Sequence, residues 1–192
     1  MKKAALLIHG IDDNHRIFKK MIKKLELAGI KVFAIDLIPN NGDVQIEEMA
    51  AQVSNYVNLN IDKDFELIVV GFSMGGIVAR YYVQKLVSER VRLLVLLSAP
   101  NHGTILTKFL KKPAVLQMAR NSSFLKELNE DLSNHKKLKI LSIWTPFDLM
   151  ILPASSSVLI GAVNVKVPVA LHPLIPKSSK VIALVKKFIL EH

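Results

Sequence analysis

The feature that most constrains this chain is an alternation of two apolar patterns along nearly all of its 192 residues. Short runs rich in β-branched residues, at 4–8, 31–36, 67–71, 92–98, 139–144 and 163–169, read as strands. Between them, amphipathic segments at 15–28, 44–59, 74–87, 105–118, 123–133 and 178–190 read as helices. Four of the strand runs are almost continuously apolar, which is the pattern of strands covered by helices on both faces. Such alternation implies a mostly parallel sheet of about six strands, wound in α/β fashion. The length suits one domain over 1–192, with a core large enough to need no covalent staples. No repeat, low-complexity tract or linker divides it.

The opening "MKKAALLIHG" imitates a secretory signal, but its apolar run ends after five residues. A signal core needs about 7–15 apolar residues, so the stretch reads as the first core strand. No uncharged apolar run reaches the roughly 18 residues of a membrane span. A cytoplasmic protein is therefore expected. The absence of cysteine excludes disulfides, thiolate catalysis and cysteine-based zinc sites. The net charge of +10 comes mostly from lysine, in "FKKMIKKLE", "HKKLK" and "VKKF". These read first as solvated helix faces, and they would also suit an anionic membrane surface or acidic substrates. Nucleic acid is not expected, because arginines are few and no basic stripe is interleaved with aromatics.

In an open parallel sheet, chemistry is sought just after the carboxyl ends of the strands. Here those positions hold His9, Gly10, Ile11, Asp36, the segment "GFSMGG" at 71–76, "SAPNH" at 98–102, "TPFD" at 145–148, and His172. "GFSMG" fits the pattern G-x-S-x-G, with a strand running in and a helix running out. Its glycines allow a sharp turn in which a Cβ would collide with strand or helix, so that Ser73 stands exposed. A serine hydroxyl becomes nucleophilic only through a base, and the base needs an orienting acid. In this architecture they follow in the order Ser, Asp or Glu, His. His172 lies between the last strand and the last helix and is the expected base. His102 also follows a strand and competes, whereas His135 reads as solvent-exposed and His192 as terminal. Asp148, after the strand preceding His172, is the expected acid. Asp36 is the alternative, although it precedes the serine and suits turn capping. Oxyanion donors are expected from the backbone N–H of Met74 and, after the turn at Gly10, of Ile11. His9 reads as a structural residue of that loop.

These blocks, together with "LLIHGI", "VVGFSMGGIVARYY", "LLSAPNHGT", "NSSFLKELN" and "HPLIPKSSKV", resemble the α/β-hydrolase superfamily, specifically its small lipases and esterases, over most of the chain. The resemblance implies a minimal α/β-hydrolase fold. It implies carboxylic-ester hydrolysis through an acyl-enzyme, without metal or cofactor. It also implies Ser73, Asp148 and His172 as the triad and Ile11 and Met74 as oxyanion donors. Two departures stand out. Asp12 and Asp13 follow Ile11 where glycine is frequent in the family, and Leu171 stands where glycine often precedes the histidine. One of the aspartates, or Asn14, is expected to cap the helix beginning near His15. Residues 105–133 could form a helical cap over the strand edge or two ordinary crossover helices. "ILPASSSVLIGAV" could line an acyl pocket or belong to the core. A thioesterase or amidase with the same triad, or an inactive binding module of this fold, are the alternatives to an ester hydrolase.

Overall fold

In the computed structural model, which describes residues 2–86 and 90–192, the apolar runs become six parallel strands. They are β1 (Lys2–Ile8), β2 (Lys31–Ile35), β3 (Phe65–Phe72), β4 (Val91–Leu97), β5 (Lys139–Trp144) and β6 (Val163–Lys166), in the spatial order β2-β1-β3-β4-β5-β6. The two-residue period of a strand sends alternate side chains to opposite faces. Ala4, Leu6, Ile8, Leu67 and Val69 therefore enter one apolar layer, while Ala5, Leu7, Ile68 and Val70 enter the other.

Among the described residues, six α-helices cover the two faces. They are α1 (Lys19–Glu26), α2 (Ile46–Asn60), α3 (Met74–Tyr81), α4 (Pro113–Gln117), α5 (Ser123–Asp131) and α6 (Ser179–Glu191). Helices α2, α3, α4 and α5 add Met49, Val53, Ile77, Val78, Ala114 and Leu128 to the first layer. Helices α1 and α6 add Met21, Leu25, Val181, Val185 and Ile189 to the second. Among the described residues, no helix is long and apolar enough to cross a membrane.

Several expected boundaries move for identifiable reasons. The helix expected over 105–118 is broken, with a 3-10 turn at Ile105–Phe109 and α4 beginning only at Pro113. Lys112, before the proline, is extended at φ −101°, ψ 145°, because the proline ring disfavours a helical conformation there. Helix α3 passes into a π-helical turn at Tyr82–Leu86, and Val87, the expected helix end, lies outside the described residues. Strand β6 stops at Lys166, short of 169, where Pro168 has no N–H to give to a ladder.

Arg80 ties the first layer together and is completely buried. It donates to Gln84 Oε1 (3.2 Å), Asn101 Oδ1 (3.3 Å) and the Leu128 carbonyl (3.0 Å), joining α3 to α5 and to the loop after β4. Burial pushes its guanidinium down to about 9, with Asp131 pulling the other way, so it remains a cation at neutral pH.

Candidate active site

Ser73 sits where β3 turns into α3, at φ 54° and ψ −123°. A non-glycine residue in this region costs on the order of 1–3 kcal/mol and persists only where its surroundings fix it. Here its N–H donates to the Leu97 carbonyl (2.9 Å), and its own carbonyl accepts from the Gly76 N–H (2.9 Å). The turn is tight because nothing but hydrogen fits at the glycines. A Cβ on Gly75 would strike the carbonyl oxygens of His9 and Ile8, and one on Gly71 would strike the backbone of Gly75 and Gly76. A Cβ on Gly10 would lie 3.0 Å from Ser73 Cβ, so the loop after β1 passes directly against the serine.

That loop is held from inside. His9 is fully buried, and its Nδ1–H donates to the Gly10 carbonyl (2.8 Å) while Nε2 accepts from the Leu37 N–H (3.0 Å). This pattern fits the structural role expected for it and assigns the tautomer from its partners. Among the described residues, the Ile11 N–H has no hydrogen-bond acceptor. Met74, as the first residue of α3, carries an N–H that the helix itself cannot satisfy. Asp12 points its side chain into solvent, and Asp13 Oδ1 accepts from the Asn14 N–H (2.8 Å). Asn14 is the cap, its Oδ1 accepting from the Arg16 N–H (3.0 Å).

The other two triad candidates meet after β5 and β6. His172 Nδ1 lies 2.7 Å from Asp148 Oδ2, with the two residues 3% and 2% exposed. Asp148 Oδ1 accepts from the N–H groups of Met150 and Ile151 (both 2.9 Å), which fixes the carboxylate from behind. Burial pushes the Asp148 carboxyl up, but the His172 hydrogen bond and charge, with the two backbone donors, outweigh it and hold it below its ordinary value. A carboxylate depressed in the fold contributes stability that is complete above the ordinary range, near about pH 4, and is lost as the pH falls through the lower folded value. The gap in Tm between wild type and Asp148→Asn is accordingly expected to be widest above about pH 4 and to narrow on further acidification. A pH series of thermal melts reads this directly, and a gap that widens in acid would contradict it.

His172 Nε2 is buried and has no hydrogen-bond partner. Its ring packs on Phe72, the residue before Ser73, with centroids 4.8 Å apart. Ser73, Asp148 and His172 each follow a strand at the carboxyl edge of the sheet, and Phe72 links the His172 ring to the β3 turn. Nε2 makes no hydrogen bond to Ser73, and Ser73 is buried rather than exposed as expected.

The competing residues lie elsewhere in other partnerships. Asp36 is bonded to His15 through Nδ1 (2.7 Å) and through the backbone N–H (2.6 Å), closing the turn before α1. His102 is exposed, and Asn129 is its nearest side-chain partner at 3.5 Å. His135 is less exposed than its polar setting suggested, because it folds back on Asp131 (3.2 Å).

Two supports of the site were not visible in the sequence. Phe72 occupies the freely varying position of G-x-S, and nothing local shows that it meets His172. The Thr145 hydroxyl donates to the Val169 carbonyl (2.6 Å), tying the Asp148 loop to the segment that leads to His172. Two clefts, one of about 510 Å³ and one of about 450 Å³ bordered by His102, Asn129 and Leu159, do not touch the three residues.

Sheet order, the serine turn and the position of the Asp–His pair together define a hydrolase-type α/β sheet. The chain belongs to the α/β-hydrolase fold family, whose sequence model matches residues 4–121. No curated protein sequence matches it. Among solved structures it is similar to lipase B of Aspergillus fumigatus, with a TM-score of 0.80 at 17% identity, covering 100% of this chain and 53% of that one. It is also similar to the lipase BlEst2 of Bacillus licheniformis (TM-score 0.77, 18% identity, 98% of this chain and 92% of that one). A bromoperoxidase of Bacillus anthracis gives a TM-score of 0.75 at 14% identity, covering 100% and 93%. At such identities the likeness is one of fold, and function has to be argued from the site.

Proposed function

We propose that this protein is a serine hydrolase that cleaves carboxylic esters through an acyl-enzyme, of lipase or carboxylesterase type. The observation that carries the reading is the buried Asp148–His172 pair, whose imidazole ring packs on Phe72, the residue before the strained Ser73, and whose Nε2 is unpartnered. Asp148 holds the His172 tautomer with its proton on Nδ1, leaving the Nε2 lone pair to take the Ser73 proton. The serine oxygen then attacks the ester carbonyl. The N–H groups of Met74 and Ile11 are the donors available to the oxyanion, since neither is consumed by the fold. Collapse expels the alcohol, which takes the proton from His172, and a water repeats the cycle on the acyl-enzyme to release the acid. The exposed apolar side chains flanking Asp148 and His172 (Phe147, Leu149, Met150 and Leu171) favour an acyl or lipid substrate over a strongly polar one.

The two candidate acids separate the reading from its rivals. Asp148→Asn is expected to lower kcat on p-nitrophenyl esters by about 10⁴, as loss of the orienting acid does in such triads. Asp36→Asn, whose carboxylate serves the His15 turn, is expected to leave kcat within about twofold of wild type. Equal losses at both positions would remove the triad assignment. An acyl-length series and a thioester substrate would then place the activity among esterases, lipases and thioesterases.

A further inference from the structure

The +10 charge is not spread evenly over the molecule. Helices α1 and α6 pack side by side on one face of the sheet. Segments 15–26 and 177–191 carry nine basic side chains against two acidic ones, Glu26 and Glu191. All nine are exposed, among them Lys19, Lys20, Lys23 and Lys24 on α1 and Lys180 and Lys186 on α6. The opposite face carries no such excess: α2 and α5 together bear Glu47, Glu48, Glu127, Glu130 and Asp131 against Lys126, offset by Lys85, Lys111, Lys112 and Arg120 around α3 and α4. A cleft of about 280 Å³ between α1 and α6 is lined by Lys20, Lys24, Lys186, Ser179, Ile182 and Ala183, with no carboxylate.

The basic face runs up to the candidate active site. Helices α1 and α6 both begin at the carboxyl edge of the sheet, where the His15–Phe18 turn packs against the His172–Lys177 turn. Lys20 Nζ donates to Ser179 Oγ (2.7 Å), joining the two helix starts. On this same edge Leu149 is 67% exposed and Phe147 55%, with Leu171 and Leu174 at 48% and 40%. An apolar tip beside a lysine-rich flank is the surface chemistry of a protein that lies in a membrane interface. Nucleic acid is disfavoured, since Arg16 is the one arginine of the basic face and no aromatic is exposed on α1 or α6.

We propose that the α1/α6 face and the adjoining apolar edge form a docking surface for an anionic lipid membrane, seating the edge with Ser73 against it. Lysines near such a surface contribute roughly equally and lose their pull within a Debye length, so binding should need acidic lipid and weaken with salt. The test is co-sedimentation of the full chain with phosphatidylcholine–phosphatidylserine vesicles and with pure phosphatidylcholine vesicles, at low and high salt. Wild type is expected to bind the mixed vesicles only, and the Lys20→Ala/Lys24→Ala/Lys186→Ala variant to partition about a hundredfold more weakly. Leu174→Ser is expected to bind about tenfold more weakly through its lost apolar contact. Soluble-ester turnover of the lysine variant should equal wild type, which also shows that it folds. Equal binding to both vesicle types, unchanged binding by the lysine variant, or binding to duplex DNA in place of vesicles would overturn the proposal. Docking is measured without turnover, so an inactive protein that still binds would sink the hydrolase reading alone.

Discussion

Ser73→Ala is expected to lower kcat for p-nitrophenyl butyrate by about five to six orders of magnitude while leaving the far-ultraviolet circular dichroism unchanged. Removing a triad serine has an effect of this size because the oxygen that forms the acyl bond is gone, and the base alone cannot replace it. The substitution deletes one oxygen from a side chain that accepts no fold-forming hydrogen bond, so the turn survives it. What holds that turn is the backbone: the Ser73 N–H on Leu97 and the Gly76 N–H on Ser73. A variant that kept full activity would move the nucleophile elsewhere and end the ester-hydrolase reading.

Gly75→Ala is expected to have the largest effect on stability, about 3 kcal/mol or more by urea denaturation, together with loss of ester hydrolysis. The added methyl would occupy the space of the His9 and Ile8 carbonyl oxygens, and a strand end cannot retreat as a flexible side chain would. Moving that strand end shifts Gly10 off Ser73 and the Ile11 N–H away from the oxyanion position. Gly29→Ala is the comparison, because Gly29 has a positive φ of 79° but nothing within 4 Å of its missing Cβ. It should cost only about 1–2 kcal/mol, the conformational penalty alone. Similar costs for the two variants would mean that close approach at Gly75 does not hold the turn together.

The fold was legible where the chain repeats a simple period. The strands are legible as short apolar runs bounded by polar segments and alternating with amphipathic ones, and 139–144 agrees to the residue with β5. The 105–118 helix is interrupted because Pro113 acts sterically on Lys112 before it, an effect that apolar spacing does not register. The site was legible to the extent that it is local in sequence: G-x-S-x-G marks Ser73, and the strand ends bring forward Asp148 and His172. Its supports are tertiary. That Thr145 reaches Val169, or that Phe72 stacks on His172, depends on β3, β5 and the chain beyond β6 being neighbours in space, and no pattern within one segment encodes it. His135 differs, since Asp131 stands four residues before it in the same segment, an i,i+4 spacing that a sequence can show.

The partition of charge between the two sides of the sheet also makes the molecule an electric dipole whose axis crosses the sheet. Near any negatively charged boundary, such a body experiences a torque as well as an attraction. It turns in the field before touching, so that collisions are enriched in one orientation. Screening by salt removes this alignment over the same distance as it removes the attraction. Encounter frequency with the correct side forward is then governed by where the lysines sit rather than by how many there are.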